Sequence, residues 1–124
     1  MTKIHIQKAF FGKDNCLKVT LNKDMDCYFE FGTPKKDKGE GWNWKPVKFS
    51  DIELGDIILV LEGKKDGVNF FHDFKGEKTQ IWIKKTEKFF SIKVRELSKG
   101  LSEGEQVVLR EILKHAIVRM SIKI

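Results

Sequence analysis

The sequence predicts an α+β fold of two repeats, each of about four antiparallel strands followed by one helix, packed as an intramolecular pseudo-dimer. Two observations carry this prediction. One helix-start pattern occurs twice, and segments typical of β-strands precede both occurrences. The chain has 124 residues, 40% of them hydrophobic, which suits one domain with a packed core. We therefore expect a single domain over 1–124, with repeat one at 1–63 and repeat two at 64–124.

Both predicted helices begin at a capping box, in which a Ser and a Glu three residues later satisfy free amide groups at the helix start. Ser50 precedes Glu53 at this spacing, and Ser102 precedes Glu105. Apolar residues at helical spacing follow each box. They are Leu54, Ile57, Ile58 and Leu61, ending at Gly63, and Leu109, Ile112, Leu113, Ala116, Ile117 and Met120. The pattern indicates an internal duplication.

The segments ahead of each helix are rich in aromatic and β-branched residues or alternate with a period of two. Repeat one offers segments 3–11, 16–21, 27–32 and 42–49. Repeat two offers 68–74, 79–85 and 89–97, with 100–101 as a short fourth strand. Because about sixty residues bury little surface alone, we expect the two repeats to pack against each other.

The charge balance favours an anionic partner. Lys and Arg total 24 against 18 Asp and Glu, a formal charge of +6. Residues 1–63 carry 10 basic and 10 acidic side chains, whereas residues 64–124 carry 14 and 8, so the whole excess lies in repeat two. A basic balance of this kind is typical of nucleic-acid binding without requiring it.

Several function classes are disfavoured. No apolar run is long enough to span a membrane and no leader pattern is visible, so we expect no membrane partner and a cytoplasmic location, nucleoid-associated or nuclear if eukaryotic. His5, His72 and His115 are isolated, and no phosphate-binding glycine motif occurs, so we expect no enzyme, cofactor or metal. Cys16 and Cys27 are interpreted as reduced core thiols, although a disulfide is conceivable.

The last strand and the helix start of each repeat carry a resemblance to known proteins. The matching residues are KGLSEGEQV at 99–107, echoed by VKFSDIE at 47–53. With the strand order, this resembles the repeat of the transcription positive cofactor four family, the Whirly proteins, the mitochondrial guide-RNA-binding proteins and Pur-alpha. The resemblance implies a fold that binds single-stranded DNA or RNA on its β-surfaces.

Aromatic and basic residues alternate on the predicted strands, as single-strand binding requires. Trp82 shares a face with Lys84, while Ile81 and Ile83 take the opposite face. Candidates for base stacking are Trp42, Trp44, Trp82 and Phe70, and candidates for phosphate contacts are Lys35, Lys36, Lys84, Lys85, Lys93 and Arg95. Stacking and phosphate contacts distinguish no bases, so we expect largely sequence-independent binding.

Each candidate also has an ordinary structural interpretation. A Trp of a small domain is more often a core residue, and Lys-rich turns usually discourage edge-to-edge aggregation. Of the neighbouring pairs at 10–11, 70–71 and 89–90, one Phe is expected in the core and the other outside. The alternative function is a protein-interaction or assembly module, in which exposed aromatics form a homodimer or partner interface.

Overall fold

A computed structural model describes residues 4–35 and 41–122 as two four-stranded antiparallel sheets, each followed by a helix. Sheet one contains β1 (Ile4–Phe11), β2 (Cys16–Asn22), β3 (Cys27–Pro34) and β4 (Trp42–Phe49), and α1 (Asp51–Leu61) follows it. Sheet two contains β5 (Gly67–Phe74), β6 (Glu77–Lys85), β7 (Phe90–Val94) and β8 (Leu97–Leu101), and α2 (Glu103–Ser121) follows it. In both sheets the strands lie in sequence order. The predicted α+β pseudo-dimer is confirmed.

The largest departure from prediction lies in segment 89–97, which is not one strand. It divides into β7 and β8 at a tight turn, where Val94 pairs with Leu97 and Arg95 takes the left-handed backbone conformation with φ of 56°. That turn contains none of the Gly, Asn or Asp residues that mark such hairpins in a sequence. The fourth strand is therefore longer than residues 100–101.

Both capping boxes are present. The Ser50 side chain accepts from the Glu53 amide at 3.2 Å, and the Glu53 carboxylate accepts from the Ser50 amide at 2.9 Å. Ser102 and Glu105 make the same pair of bonds at 3.3 and 2.9 Å. Each box satisfies two amide groups that the helix itself leaves free, an arrangement that contributes about 1 kcal/mol to helix stability.

One continuous core joins the two repeats. The helix of repeat one packs against α2 and also against β5 and β6 of repeat two. Phe49 at the end of β4 packs edge-on against Phe29 of its own sheet, with centroids 4.8 Å apart, and against Phe70 of β5, with centroids 5.6 Å apart. The repeats therefore bury each other's apolar surface, as their small size requires.

Polar contacts also join the two repeats. The Lys45 ammonium lies 3.6 Å from the Glu77 carboxylate, where β4 meets sheet two. Elsewhere the Asn15 side-chain amide donates to the Ser98 carbonyl of β8 at 3.0 Å. No helix within 4–35 and 41–122 is long and apolar enough to cross a membrane.

Both cysteines are free and buried, in agreement with the interpretation as core thiols. Burial raises the pKa of Cys27 to about 12. The pKa of Cys16 is also raised, because burial outweighs the nearby charges of Lys99 and Lys18. Both thiols are therefore protonated, and unreactive, near neutral pH.

Candidate nucleic-acid interface

Each sheet has a buried face and an outer face, and the strand alternation decides which residues each presents. In β4, Val47 and Phe49 are buried, so Trp42 and Trp44 lie on the outer face. In β6, Ile81 and Ile83 are buried and Trp82 is exposed between them. The predicted alternation around Trp82 is therefore confirmed, and the three tryptophans lie outside the core.

Three aromatic rings form a cluster on the outer face of sheet one, which we call the aromatic triad: Phe11, Trp42 and Trp44. The centroids of Phe11 and Trp42 are 6.1 Å apart, and so are those of Trp42 and Trp44. Phe11 is 65% exposed and Trp44 is 37% exposed. The triad therefore presents aromatic surface to solvent outside the core.

A glycine and a lysine determine how Trp44 lies on the sheet. Gly32 pairs with Trp44 across β3 and β4, and a Cβ at this glycine would lie 2.7 Å from the indole Cζ3. The ring therefore lies directly over the glycine backbone, a position that any side chain there would block. The Lys18 ammonium lies 4.2 Å from the indole centroid, within cation–π range.

The outer face of sheet two carries one indole beside two lysines, a group that we call the Trp82 surface: Trp82, Lys84 and Lys93. Lys93 lies directly opposite Trp82 on β7, with its ammonium 5.9 Å from the ring centroid. Lys84 follows two residues along β6, and the indole itself is 38% exposed. An exposed ring flanked by cations suits one base and its neighbouring phosphates.

Lysines on the outer face of sheet one are matched by carboxylates. The Lys18 ammonium lies 3.7 Å from Glu30, and the Lys48 ammonium lies 3.3 Å from Asp26. In the described part of the chain, neither Lys84 nor Lys93 has a carboxylate within ion-pair distance. Uncompensated positive charge on the outer faces is therefore concentrated on sheet two.

Phe70 is not available for stacking, which corrects the sequence prediction. It is only 8% exposed, because its ring packs against Phe49 in the core. The next residue, Phe71, is 72% exposed. Alternation correctly required one ring of the pair inside and one outside, but the choice depended on which face of β5 meets β4.

Lys85 has a structural partner that the sequence prediction did not include. Its side chain points toward the helices, where the ammonium donates to the Leu61 carbonyl at 2.8 Å. Leu61 is the last residue of α1, so this cation satisfies a free carbonyl at the negative end of the helix. Its neighbour Lys84 is the one that reaches the outer face.

Arg95 lies in the β7–β8 turn and pairs with Glu77, the carboxylate that Lys45 also approaches. Its charge is thus compensated, and it stands outside the Trp82 surface. Lys35 is exposed just after β3, and its amide donates to the Gly41 carbonyl at 3.2 Å. Lys36 lies outside the described residues.

His72, one of the isolated histidines of the sequence, has partners at the junction of the two repeats. His72 bonds to Glu53 of α1 at 2.7 Å and stacks edge-on against Phe49, so it serves the junction of the two repeats. No group of three or more metal-ligating side chains occurs within residues 4–35 and 41–122.

Phe11 is the member of the aromatic triad that the sequence candidates lacked. The pair at 10–11 marks one exposed ring, and the register Phe11↔Cys16 places it in the row that ends at Trp44. The strand pairing of three successive hairpins is therefore what brings Phe11 beside the tryptophans. Alternation within a single strand gives no information on that pairing.

Comparison with solved structures finds this fold in guide-RNA-binding proteins. A chain of a guide-RNA-binding protein complex bound to a guide RNA matches with a TM-score of 0.71 and 16% identity, over 94% of each chain. A chain of Trypanosoma brucei MRP1/MRP2 matches with a TM-score of 0.65 and 9% identity, over 93% of this chain and 92% of that one. No family model and no curated protein matches by sequence. At these identities the likeness establishes the fold.

Proposed function

We propose that this chain is a non-catalytic protein that binds single-stranded nucleic acid on the outer faces of its two sheets. Bases stack on the aromatic triad and on Trp82, while Lys84 and Lys93 neutralise phosphates. The observation that carries the proposal is the exposed indole of Trp82, flanked by two lysines that have no carboxylate partner among the described residues. An aromatic platform combined with free cations is the arrangement that holds single strands in proteins generally.

RNA is the nucleic acid that we place first. A protein with the same fold is bound to a guide RNA, and the fold match covers nearly the whole of both chains. Ring faces and ammonium groups accept any base and any phosphate, so single-stranded DNA is expected to bind as well. A duplex is expected to bind weakly, because its bases are already stacked on one another.

Tryptophan fluorescence tests the proposal directly. The chain is titrated with an RNA of about 20 nucleotides, the matching DNA strand and the DNA duplex, at two salt concentrations. We expect quenching by the single strands that weakens as salt rises. Trp44→Ala and Trp82→Ala should each weaken binding, whereas Ile52→Ala, which removes an exposed apolar side chain on α1, should leave binding unchanged. Unchanged affinity in both tryptophan variants, with the fold intact, would overturn the assignment of the platforms.

A protein-assembly module is the second candidate, and the helical side of the molecule supports it. The Ser121 hydroxyl lies 3.2 Å from an Asp51 carboxylate oxygen, which brings the end of α2 beside the start of α1. Ile52, Val118 and Ile122 near this contact are 74%, 54% and 57% exposed. A homodimer through these residues predicts a concentration-dependent mass in sedimentation that is nearly insensitive to salt, unlike binding through phosphates.

A further inference from the structure

A small cavity lies where the two repeats meet, beside the aromatic triad. Its volume is about 240 Å³. A water molecule occupies about 30 Å³ and pockets for drug-sized ligands begin near 300 Å³, so this cavity has the size for one flat ring system. Its walls come from the β1–β2 turn and the start of β2, from β3, and from the β7–β8 turn with the start of β8.

The cavity adjoins the stacking platform. Gly32 lines it and also lies beneath the Trp44 indole. Phe31 and Leu97 supply apolar wall, and the bond from Asn15 to the Ser98 carbonyl ties its two sides together. The cavity and the stacking platform therefore meet at Gly32.

Two carboxylates line the cavity from opposite repeats. Asp14 belongs to the β1–β2 turn and Glu96 to the β7–β8 turn, and both are exposed. In the described ranges neither forms an ion pair or accepts a side-chain hydrogen bond. Negative charge beside a bound strand repels phosphate, so a base edge, and not the backbone, is the part of the strand that fits here.

We infer that this cavity, lined by Asp14, Glu96 and the Asn15–Ser98 contact, is a subsite for a single guanine base of the bound strand. The inference rests on the proposed function. A carboxylate accepts two hydrogen bonds side by side, and guanine presents two adjacent donors, N1–H and the N2 amino group, on its Watson–Crick edge. Adenine and cytosine place a ring acceptor beside their amino group, and uracil flanks its one donor with two carbonyls, so each would turn an acceptor toward the carboxylate. The protein thereby prefers one base at a single position of a binding surface that is otherwise sequence-independent.

The test compares labelled RNA nonamers of uridine alone and of uridine with one central guanine, adenine or cytosine, by fluorescence anisotropy at fixed salt. Because every other position is uridine, a nonamer can shift along the interface until its central base reaches the cavity. The comparison therefore does not depend on the register in which the strand first binds. We expect the guanine nonamer to bind about tenfold more tightly than the other three. The double variant Asp14→Asn, Glu96→Gln should bind all four equally, because an amide offers a donor where the carboxylate offered an acceptor.

The matched control is Asp66→Asn, Glu87→Gln, which removes two exposed turn carboxylates far from the cavity in sequence and should keep the guanine preference. Equal binding of all four nonamers by the unaltered chain would overturn the inference, and so would a guanine preference that survives in the Asp14, Glu96 variant. Either result leaves the proposed function intact as long as the uridine nonamer binds and the Trp44→Ala substitution weakens that binding. Failure of every nonamer to bind removes the proposed function and this inference together.

Discussion

The outer faces of the two sheets are built on the same strand order and present different chemistry. Sheet one has three rings in contact, and its lysines at 18 and 48 are matched by Glu30 and Asp26. Sheet two has one exposed indole beside two lysines that no carboxylate of the described residues compensates. The two faces of this duplicated scaffold both expose aromatic rings, and they differ in how far their lysines are compensated by carboxylates.

This difference divides the expected binding energy into two parts. Stacking on rings depends little on salt, whereas neutralising phosphates releases counterions and weakens steeply as salt rises. Sheet one should therefore bind mainly through salt-insensitive stacking, whereas sheet two should combine stacking with most of the salt-sensitive part of the affinity.

The contrast between the two outer faces holds only if Phe70 belongs to the core. Trp82 is then the stacking ring of the Trp82 surface. Phe70→Ala removes a ring packed against Phe49 and should lower the free energy of unfolding by about 3–5 kcal/mol in urea denaturation. Phe71→Ala removes a 72% exposed ring and should change stability by less than about 0.5 kcal/mol. Equal effects of the two substitutions would place Phe70 on the surface after all.

The fold was predictable because its signals are local. The capping boxes at Ser50 and Ser102 are short-range patterns, and each specifies where a helix begins regardless of the rest of the chain. Alternation within β6 likewise placed Trp82 outside and Ile81 and Ile83 inside. The turn at Arg95 escaped prediction because it uses a left-handed residue that is not glycine.

The candidate interface was only partly predictable, since much of it depends on contacts between repeats. Phe70 and Phe71 are identical in type, and only the packing of β5 against Phe49 decides between them. Alternation places Lys84 and Lys85 on opposite faces of β6, but the capping role of Lys85 depends on the position of the α1 end. Pairing of lysines with carboxylates across strands is also invisible until the register is fixed.

Removal of the Trp44 ring measures the aromatic part of the division. One lost stack should lower single-strand affinity by about 5- to 150-fold, since a stacked base contributes about 1–3 kcal/mol. The slope of log affinity against log salt should stay as it is, because no phosphate contact is removed. Anisotropy titrations over several salt concentrations measure both quantities. A changed slope in Trp44→Ala would mean that its position also organises charge.

The adjacent lysines of β6 form a matched pair for the charged part. Lys84→Met should reduce the magnitude of the single-strand salt slope by about 0.7, the value for one phosphate contact, and leave stability unchanged. Lys85→Met should leave the slope unchanged and lower stability by about 1–2 kcal/mol, since it frees the Leu61 carbonyl at the end of α1. The reverse assignment of the two effects would contradict the orientation of these side chains.

The smallest expected effect comes from deleting a matched pair on sheet one. Lys48→Ala with Asp26→Ala removes one cation and one anion that lie 3.3 Å apart, so the net charge of the face is preserved. An exposed pair of this kind contributes about 0–1 kcal/mol to stability, and its ammonium is already compensated. The salt slope and the affinity for single strands should therefore both stay within error of the unaltered chain. A slope reduced as much as in Lys84→Met would show that phosphates displace Asp26 from Lys48, and the division between the two faces would then fail, because sheet one would bind the backbone as sheet two does.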